Sequence, residues 1–189
     1  TALSFKHSGA YTVLELPEQA SDPYVSVVVL EYADYPEVKD KLVAQSVYGG
    51  YSLNPAKAMQ AKGNTNLFPV SRRGTVPAHI EVSEPSSYQW KIFLEEPRTM
   101  LADISYSFQG EEGRTSLQVR SEGGALTSIA QKTGQTVGEP NSGWHIDNFR
   151  SHRMGSLTFQ QAGYYTISLE IDPGKDEKIH FQWLWLEEE

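Results

Sequence analysis

The densest run of side chains able to do chemistry is Glu139-Pro-Asn-Ser-Gly-Trp-His-Ile-Asp-Asn-Phe-Arg-Ser-His-Arg-Met154. It gathers Trp144, His145, Asp147, Asn148, Arg150, His152 and Arg153. Three chemistries are open to it. In the first, His145, Asp147 and His152 ligate a metal; zinc catalysis would also need an open coordination position, and the spacing matches no standard metal signature. In the second, a sugar ring stacks on Trp144 while Asp147, Asn148 and Arg150 hydrogen-bond its hydroxyls, since flat aromatics suit the apolar CH faces and planar polar groups the OH edges. In the third, Trp144 and Phe149 pack and the charges are a solvated loop or an interdomain contact. A period of two from Trp144 puts Ile146 and Asn148 on its side, with His145, Asp147 and Phe149 opposite. Both faces are mixed, so this is not a clean core strand. If a ligand site exists, its residues are Trp144, Asp147, Asn148 and Arg150, with affinity for a monosaccharide on the order of millimolar.

Other candidates fall to bland readings. Glu95-Glu96 and Glu111-Glu112 are turn neighbours, and adjacent carboxylates on a turn do not face one bond across the roughly 5–9 Å that glycoside hydrolysis needs. Arg72-Arg73 reads as loop, Glu187–Glu189 as a solvated tail, and Tyr48 and Tyr51 around Gly49-Gly50 as an aromatic patch suited to docking. The chain has no phosphate-cradling glycine loop, no Gly-x-Ser-x-Gly elbow and no His-Glu-x-x-His. It has no cysteine, which removes thiol catalysis, Cys-ligated zinc and disulfides. Lys and Arg total 16 against 24 Asp and Glu, for a net charge of -8, which argues against nucleic acid and anionic membranes. No apolar run approaches the roughly 20 residues of a membrane-spanning helix. No catalytic residue and no metal ligand is assigned.

The elements that would position these residues are strands. Ala102, Ile104, Tyr106 and Phe108 alternate with polar residues; so do Thr115, Leu117 and Val119, and Tyr165, Ile167, Leu169 and Ile171. Tyr88, Trp90, Ile92 and Leu94 form a further stripe. Ile179, Phe181, Trp183 and Trp185 form the last, read as inward, with Leu184 and Leu186 loading the other face. Gly110–Gly113, Gly123-Gly124 and Asp172-Pro-Gly174 supply turns between them. The fold class is all-β, a sandwich. Ala56–Lys62 reads as a strand, with a capped helical turn after Asn54-Pro55 as the alternative. Tyr24–Tyr32 is apolar on both faces, and a strand of that kind must be covered on both. The opening part therefore looks like the end of a larger unit, or strands docking on the downstream domain. The chain begins Thr1-Ala-Leu-Ser4, without Met or a signal peptide, as a fragment or processed product would.

The order of pieces has a likeness. Ala10-Tyr-Thr-Val-Leu-Glu-Leu-Pro17 and Asp22-Pro-Tyr-Val-Ser-Val-Val-Val-Leu-Glu31 resemble the last strands of the β-sandwich that follows the barrel in bacterial α-L-fucosidases of glycoside hydrolase family 29. Tyr51-Ser-Leu-Asn-Pro-Ala-Lys-Ala-Met-Gln-Ala-Lys-Gly63, Tyr88-Gln-Trp-Lys-Ile-Phe-Leu-Glu-Glu-Pro97, Leu157–Leu169 and Trp183-Leu-Trp-Leu186 resemble the β-sandwich modules attached to those enzymes, although Arg98-Thr99 replaces the usual Gly and aromatic after Pro97. The resemblance implies a jelly-roll-like, galactose-binding-like sandwich over 48–189, terminal strands of a preceding sandwich over 1–36, and a linker over 37–47. It implies a noncatalytic accessory module of a secreted, periplasmic or extracellular fucosidase-like hydrolase. Such a module binds a fucosylated or galactosylated glycan or docks on the catalytic domain of the same parent chain; the alternative is a packing domain with no ligand. The family's nucleophile and acid/base lie on a barrel of about 250 residues that has no counterpart here, so the resemblance carries no catalytic residue onto this chain. Related modules hold a structural calcium through an acid on the opening strand. Ala56–Lys62 offers Lys57 and Gln60 and no acid, so no cofactor is expected.

Overall fold

The computed structural model describes residues 3–8, 11–19, 22, 24–25, 27–31, 41–70, 77–111, 113–134 and 149–189. The chain divides into two compact units, Thr1–Lys39 and Asp40–Glu189. The first contains one antiparallel hairpin, β1 (Phe5–Ser8) and β2 (Tyr11–Leu14), with Phe5 opposite Leu14. The strand expected over Tyr24–Tyr32 does not form: none of its described residues belongs to a ladder. Tyr24, Val27 and Val29 are instead 92%, 76% and 74% exposed. A run with no wet face becomes a strand only when both faces are covered, and the described part of this unit supplies no such cover.

The second unit is a two-sheet β-sandwich. Its strands are β3 (Tyr51–Leu53), β4 (Gln60–Lys62), β5 (Leu67–Phe68), β6 (His79–Val82), β7 (Ser86–Leu94), β8 (Arg98–Phe108), β9 (Ser116–Ser121), β10 (Gly124–Ile129), β11 (Arg150–Phe159), β12 (Gly163–Asp172) and β13 (Ile179–Glu188). One sheet runs β10-β9-β12-β7-β4 and the other β11-β8-β13-β6-β5, with β3 on the far half of β13. β7 and β12 pair in one sheet while β8, β11 and β13 lie together in the other, so the connections β7–β8, β11–β12 and β12–β13 each pass from sheet to sheet around the core, the path of a jelly roll. Ladder pairs between named strands are antiparallel; Leu42 adds one parallel bridge to Lys91. Val43 beside it is buried, so part of the 37–47 segment packs into this unit.

The alternating stripes become the core. Tyr88, Trp90, Ile92 and Leu94 face Met100, Ala102, Ile104, Tyr106 and Phe108 across the sandwich, with Leu117, Val119, Ile167, Leu169 and Ile171 filling the rest. Two core aromatics have their polar ends satisfied: Trp90 Nε1 donates to Asn54 O at 2.8 Å and Tyr51 OH to Phe93 O at 2.6 Å. The 54–62 stretch divides between its two readings. Pro55–Lys57 is a 3-10 turn capped by Asn54, whose Oδ1 accepts from Lys57 N at 3.1 Å, and only Gln60–Lys62 is strand. Proline at the first position presets the turn and has no N–H to lose.

The last strand departs from expectation. A register shift between Phe181 and Trp183 makes Gln182 an extra residue on β13. The shift reverses the phase: Ile179 and Phe181 point inward before it, Leu184 and Leu186 after it, all essentially unexposed. Trp183 and Trp185 therefore lie on the outer face of the sheet, and the inward assignment of these two tryptophans is corrected.

Candidate functional site on the outer face of one sheet

Of the residues the sequence nominated, Trp144, Asp147 and Asn148 lie outside the described residues. Arg150 is described: it opens β11 opposite Tyr106 and its side chain is exposed. Thr133 is tied to the end of β8 on both sides. Thr133 N donates to Phe108 O and Phe108 N donates to Thr133 Oγ1, each at 2.9 Å. Near the start of β11, His152 stacks on Tyr106 with centroids 4.7 Å apart, and the Tyr106 hydroxyl accepts from Gln131 N at 2.9 Å. Burial first, and the charge of Arg150 second, hold His152 below its ordinary pKa.

Phe149, the residue before β11, places its ring 5.4 Å from that of His79. His79 lies on the outer face of the six-stranded sheet, stacked on Phe68 at 5.1 Å and edge-on to His180 at 5.2 Å. This end of the face is closed off from solvent: His79, His180 and Ser107 are all nearly unexposed. The His79 Nδ1 sits 2.8 Å from Pro77 O, and because a carbonyl only accepts, that nitrogen carries the proton. Glu81 lies opposite His180 in the ladder, but its Oε2 is 3.7 Å from His180 Nε2, beyond a hydrogen bond, and takes Lys178 Nζ at 3.1 Å instead. Among the described residues, neither His180 nitrogen nor Ser107 Oγ has a hydrogen-bond partner. Desolvation, then the proximity of His79, pushes His180 down to about 4, with Glu81 opposing. His79 is likewise lowered, chiefly by burial. Both rings are therefore neutral at pH 7. Among the described residues no three His, Cys, Asp or Glu side chains group in a way that could hold a metal.

The other end of the face is open. Two rows cross it: Ser151, Ser105 and Trp183, then Arg153, Asp103, Trp185 and Ser52. Arg153 grips Asp103 with both arms, Nε to Oδ1 at 2.6 Å and a terminal nitrogen to Oδ2 at 2.8 Å, and reaches Glu187 Oε1 at 3.0 Å. Gln182, the bulge residue, accepts from Ser105 Oγ at 2.7 Å. Trp185 Nε1 leans toward Glu187 Oε2 at 3.4 Å, and its ring packs so closely on Gly50 that a Cβ there would strike it. Trp183 and Trp185 are partly exposed, two residues apart on one strand face and so roughly 7 Å apart along it. Sequence reasoning missed this pair. The signal was present: in Phe181-Gln-Trp-Leu-Trp-Leu186 both phases are largely apolar, and the polar Gln182 stands in phase with Leu184 and Leu186.

No protein-family model matches the chain, and no curated protein matches it in sequence. Solved structures do match its fold. The insecticidal crystal protein Cry2Aa superposes over 77% of this chain with a TM-score of 0.57 and 14% identity, and the matched part is 22% of that protein. The C-terminal CBM6 of LamC, a marine laminarinase from Zobellia galactanivorans, superposes over 74% of this chain and 99% of its own length, with a TM-score of 0.54 and 12% identity. An α-L-fucosidase from Vibrio sp. strain EJY3 matches over 78% of this chain and 24% of its own, at 16% identity and a TM-score of 0.46, too low to weigh on parentage. The all-β sandwich is thus a fold that this chain shares with such modules.

Proposed function

We propose that the chain is a noncatalytic accessory module that binds carbohydrate, within a secreted, periplasmic or extracellular α-L-fucosidase-like glycoside hydrolase. The observation that carries this reading is the fold, a jelly-roll sandwich of the extent of the C-terminal CBM6 of LamC; in the sequence, the aromatic and planar polar run Trp144–Arg150 follows β10 and ends on the first residue of β11. Trp144, Asp147, Asn148 and Arg150 are the proposed contact residues: the ring stacks on one face of a sugar, and the amide, carboxylate and guanidinium take hydroxyls. The proposed ligand is a fucosylated or galactosylated glycan, with no cofactor. Catalysis is assigned to a separate domain, so the purified chain is expected not to hydrolyse a chromogenic fucoside; turnover well above a heat-killed control would overturn that.

Titration with fucose, galactose and a fucosylated glycan, followed by tryptophan fluorescence, tests the reading. A saturable change in wild type that Trp144→Ala removes supports it. No response at high millimolar ligand leaves the second reading, a packing domain that binds no sugar and docks on a neighbouring domain. That reading is supported by the exposed apolar run of Tyr24, Val25 and Val27–Leu30, which has the character of a surface meant to be covered.

A further inference from the structure

The geometry points to a second carbohydrate-contact surface, made of other residues than those proposed above: the open end of the six-stranded sheet's outer face, built on Trp183 and Trp185. Its ligand class is a neutral oligosaccharide lying along β13. The inference rests on the carbohydrate-binding reading above but on different residues.

Four observations carry it. The bulge at Gln182 turns two consecutive outward positions of β13 into tryptophans, although the core has Leu184 and Leu186 to fill the inward ones. Two partly exposed indoles roughly 7 Å apart on one strand present successive apolar platforms, spaced for successive sugar rings rather than for one. The charges beside them are bound to one another, Arg153 bridging Asp103 and Glu187, with one carboxylate more than guanidinium. That arrangement repels an anionic ligand and leaves carboxylate oxygens and guanidinium N–H groups at the rim to serve hydroxyls. Arg153 and Glu187 keep about half of their side-chain surface in solvent, 48% and 43%, whereas Asp103 keeps 15% and acts as the anchor that sets the guanidinium plane. A ligand with apolar faces, hydroxylated edges and no charge fits this surface; an acidic peptide does not.

The test is isothermal titration of the full 189-residue chain with glucose, galactose and fucose and with cello-, laminari-, manno- and galacto-oligosaccharides of two to six units. The expected result is that an oligosaccharide binds at least tenfold tighter than its monosaccharide. Trp183→Ala and Trp185→Ala should each lose about tenfold or more of that affinity, Trp144→Ala should retain the length dependence, and 0.5 M NaCl should change little, as a neutral ligand requires. The variants Arg153→Gln and Glu187→Gln, exposed and outside the core, read the same surface should a tryptophan variant misfold; each should weaken binding severalfold. Binding that Trp144→Ala abolishes while Trp183→Ala, Trp185→Ala and Arg153→Gln titrate like wild type would overturn this surface and leave the proposed function standing. Absence of binding by wild type to any of these saccharides or to a fucosylated glycan would overturn both.

Discussion

At the scale of single residues, His180 is the least comfortable group in the sandwich. It is buried, both ring nitrogens lack partners among the described residues, and burial with His79 as neighbour pushes its pKa down to about 4. The unfolded chain takes that proton near the ordinary value of 6.5, so between pH 6.5 and 4 the unfolded state holds more protons than the folded one. The contribution is therefore complete above pH 6.5 and drains away as the pH falls toward 4, a loss on the order of 3 kcal/mol. Urea midpoints at pH 7.5 and 4.5 should fall steeply in wild type and less so in His180→Phe; equal slopes would show that another group controls acid sensitivity. The tryptophans separate by position. Trp90 is fully buried and its indole N–H is used, so Trp90→Ala should destabilise by roughly 3–5 kcal/mol. Trp183 is an outer-face residue, and Trp183→Ala should lose much less. Thermal unfolding of the two variants side by side measures the contrast, and a Trp183 loss as large as that of Trp90 would put it back in the core.

At the scale of elements, β13 owes its two faces to one inserted residue. A strand's side chains alternate strictly, so an extra residue moves everything beyond it to the opposite side. Deleting Gln182 would drive Trp183 and Trp185 into the space of Leu184 and Leu186 and push the leucines into solvent. The expected outcome is loss of the cooperative melt and of dispersed methyl resonances, because indoles overfill a close-packed interior. A deletion variant that melts like wild type would mean that the bulge is free to migrate. The opposite edge has a milder device. Gly155 follows a register shift in β11 with φ of +143°, and a Cβ there would come within 2.9 Å of Leu126 Cδ2. Gly155→Ala should therefore lose about 1–3 kcal/mol from strain and crowding together, read from the denaturation midpoint.

At the scale of the molecule, the division at Lys39 and Asp40 sets what can fold alone. The second unit has a continuous core from Val43 to Leu186, whereas the first has a two-stranded hairpin and an exposed apolar run. A hairpin by itself is marginal in water. A fragment of residues 40–189 should thus melt within a few degrees of the full chain, and dye binding to exposed apolar surface should drop when residues 1–39 are removed. A fragment that fails to fold would show that the hairpin unit completes the sandwich.

Local pattern along the chain sets the class of the fold and most of its inward faces. Tyr88 to Leu94, Ala102 to Phe108, Leu117 and Val119, and Ile167 to Ile171 all sit where period-two alternation puts them, because an antiparallel sheet with one wet face has no other way to bury them. Turn residues and the Asn54 cap were legible for the same reason: their effect is local. What lay beyond the sequence was whatever depends on a partner strand. Phase along Phe181–Leu186 was misread, with Trp183 and Trp185 inward, because both alternations are largely apolar there, and only pairing with β8 chose the one that buries leucines and exposes tryptophans. Tyr24–Leu30 had strand composition, but a strand needs a ladder, and in the described residues it has none. The outer-face site came from the first of these choices. Its members come from β8, β11 and β13, far apart in the chain, and register alone brings Asp103, Arg153 and Trp185 into one row.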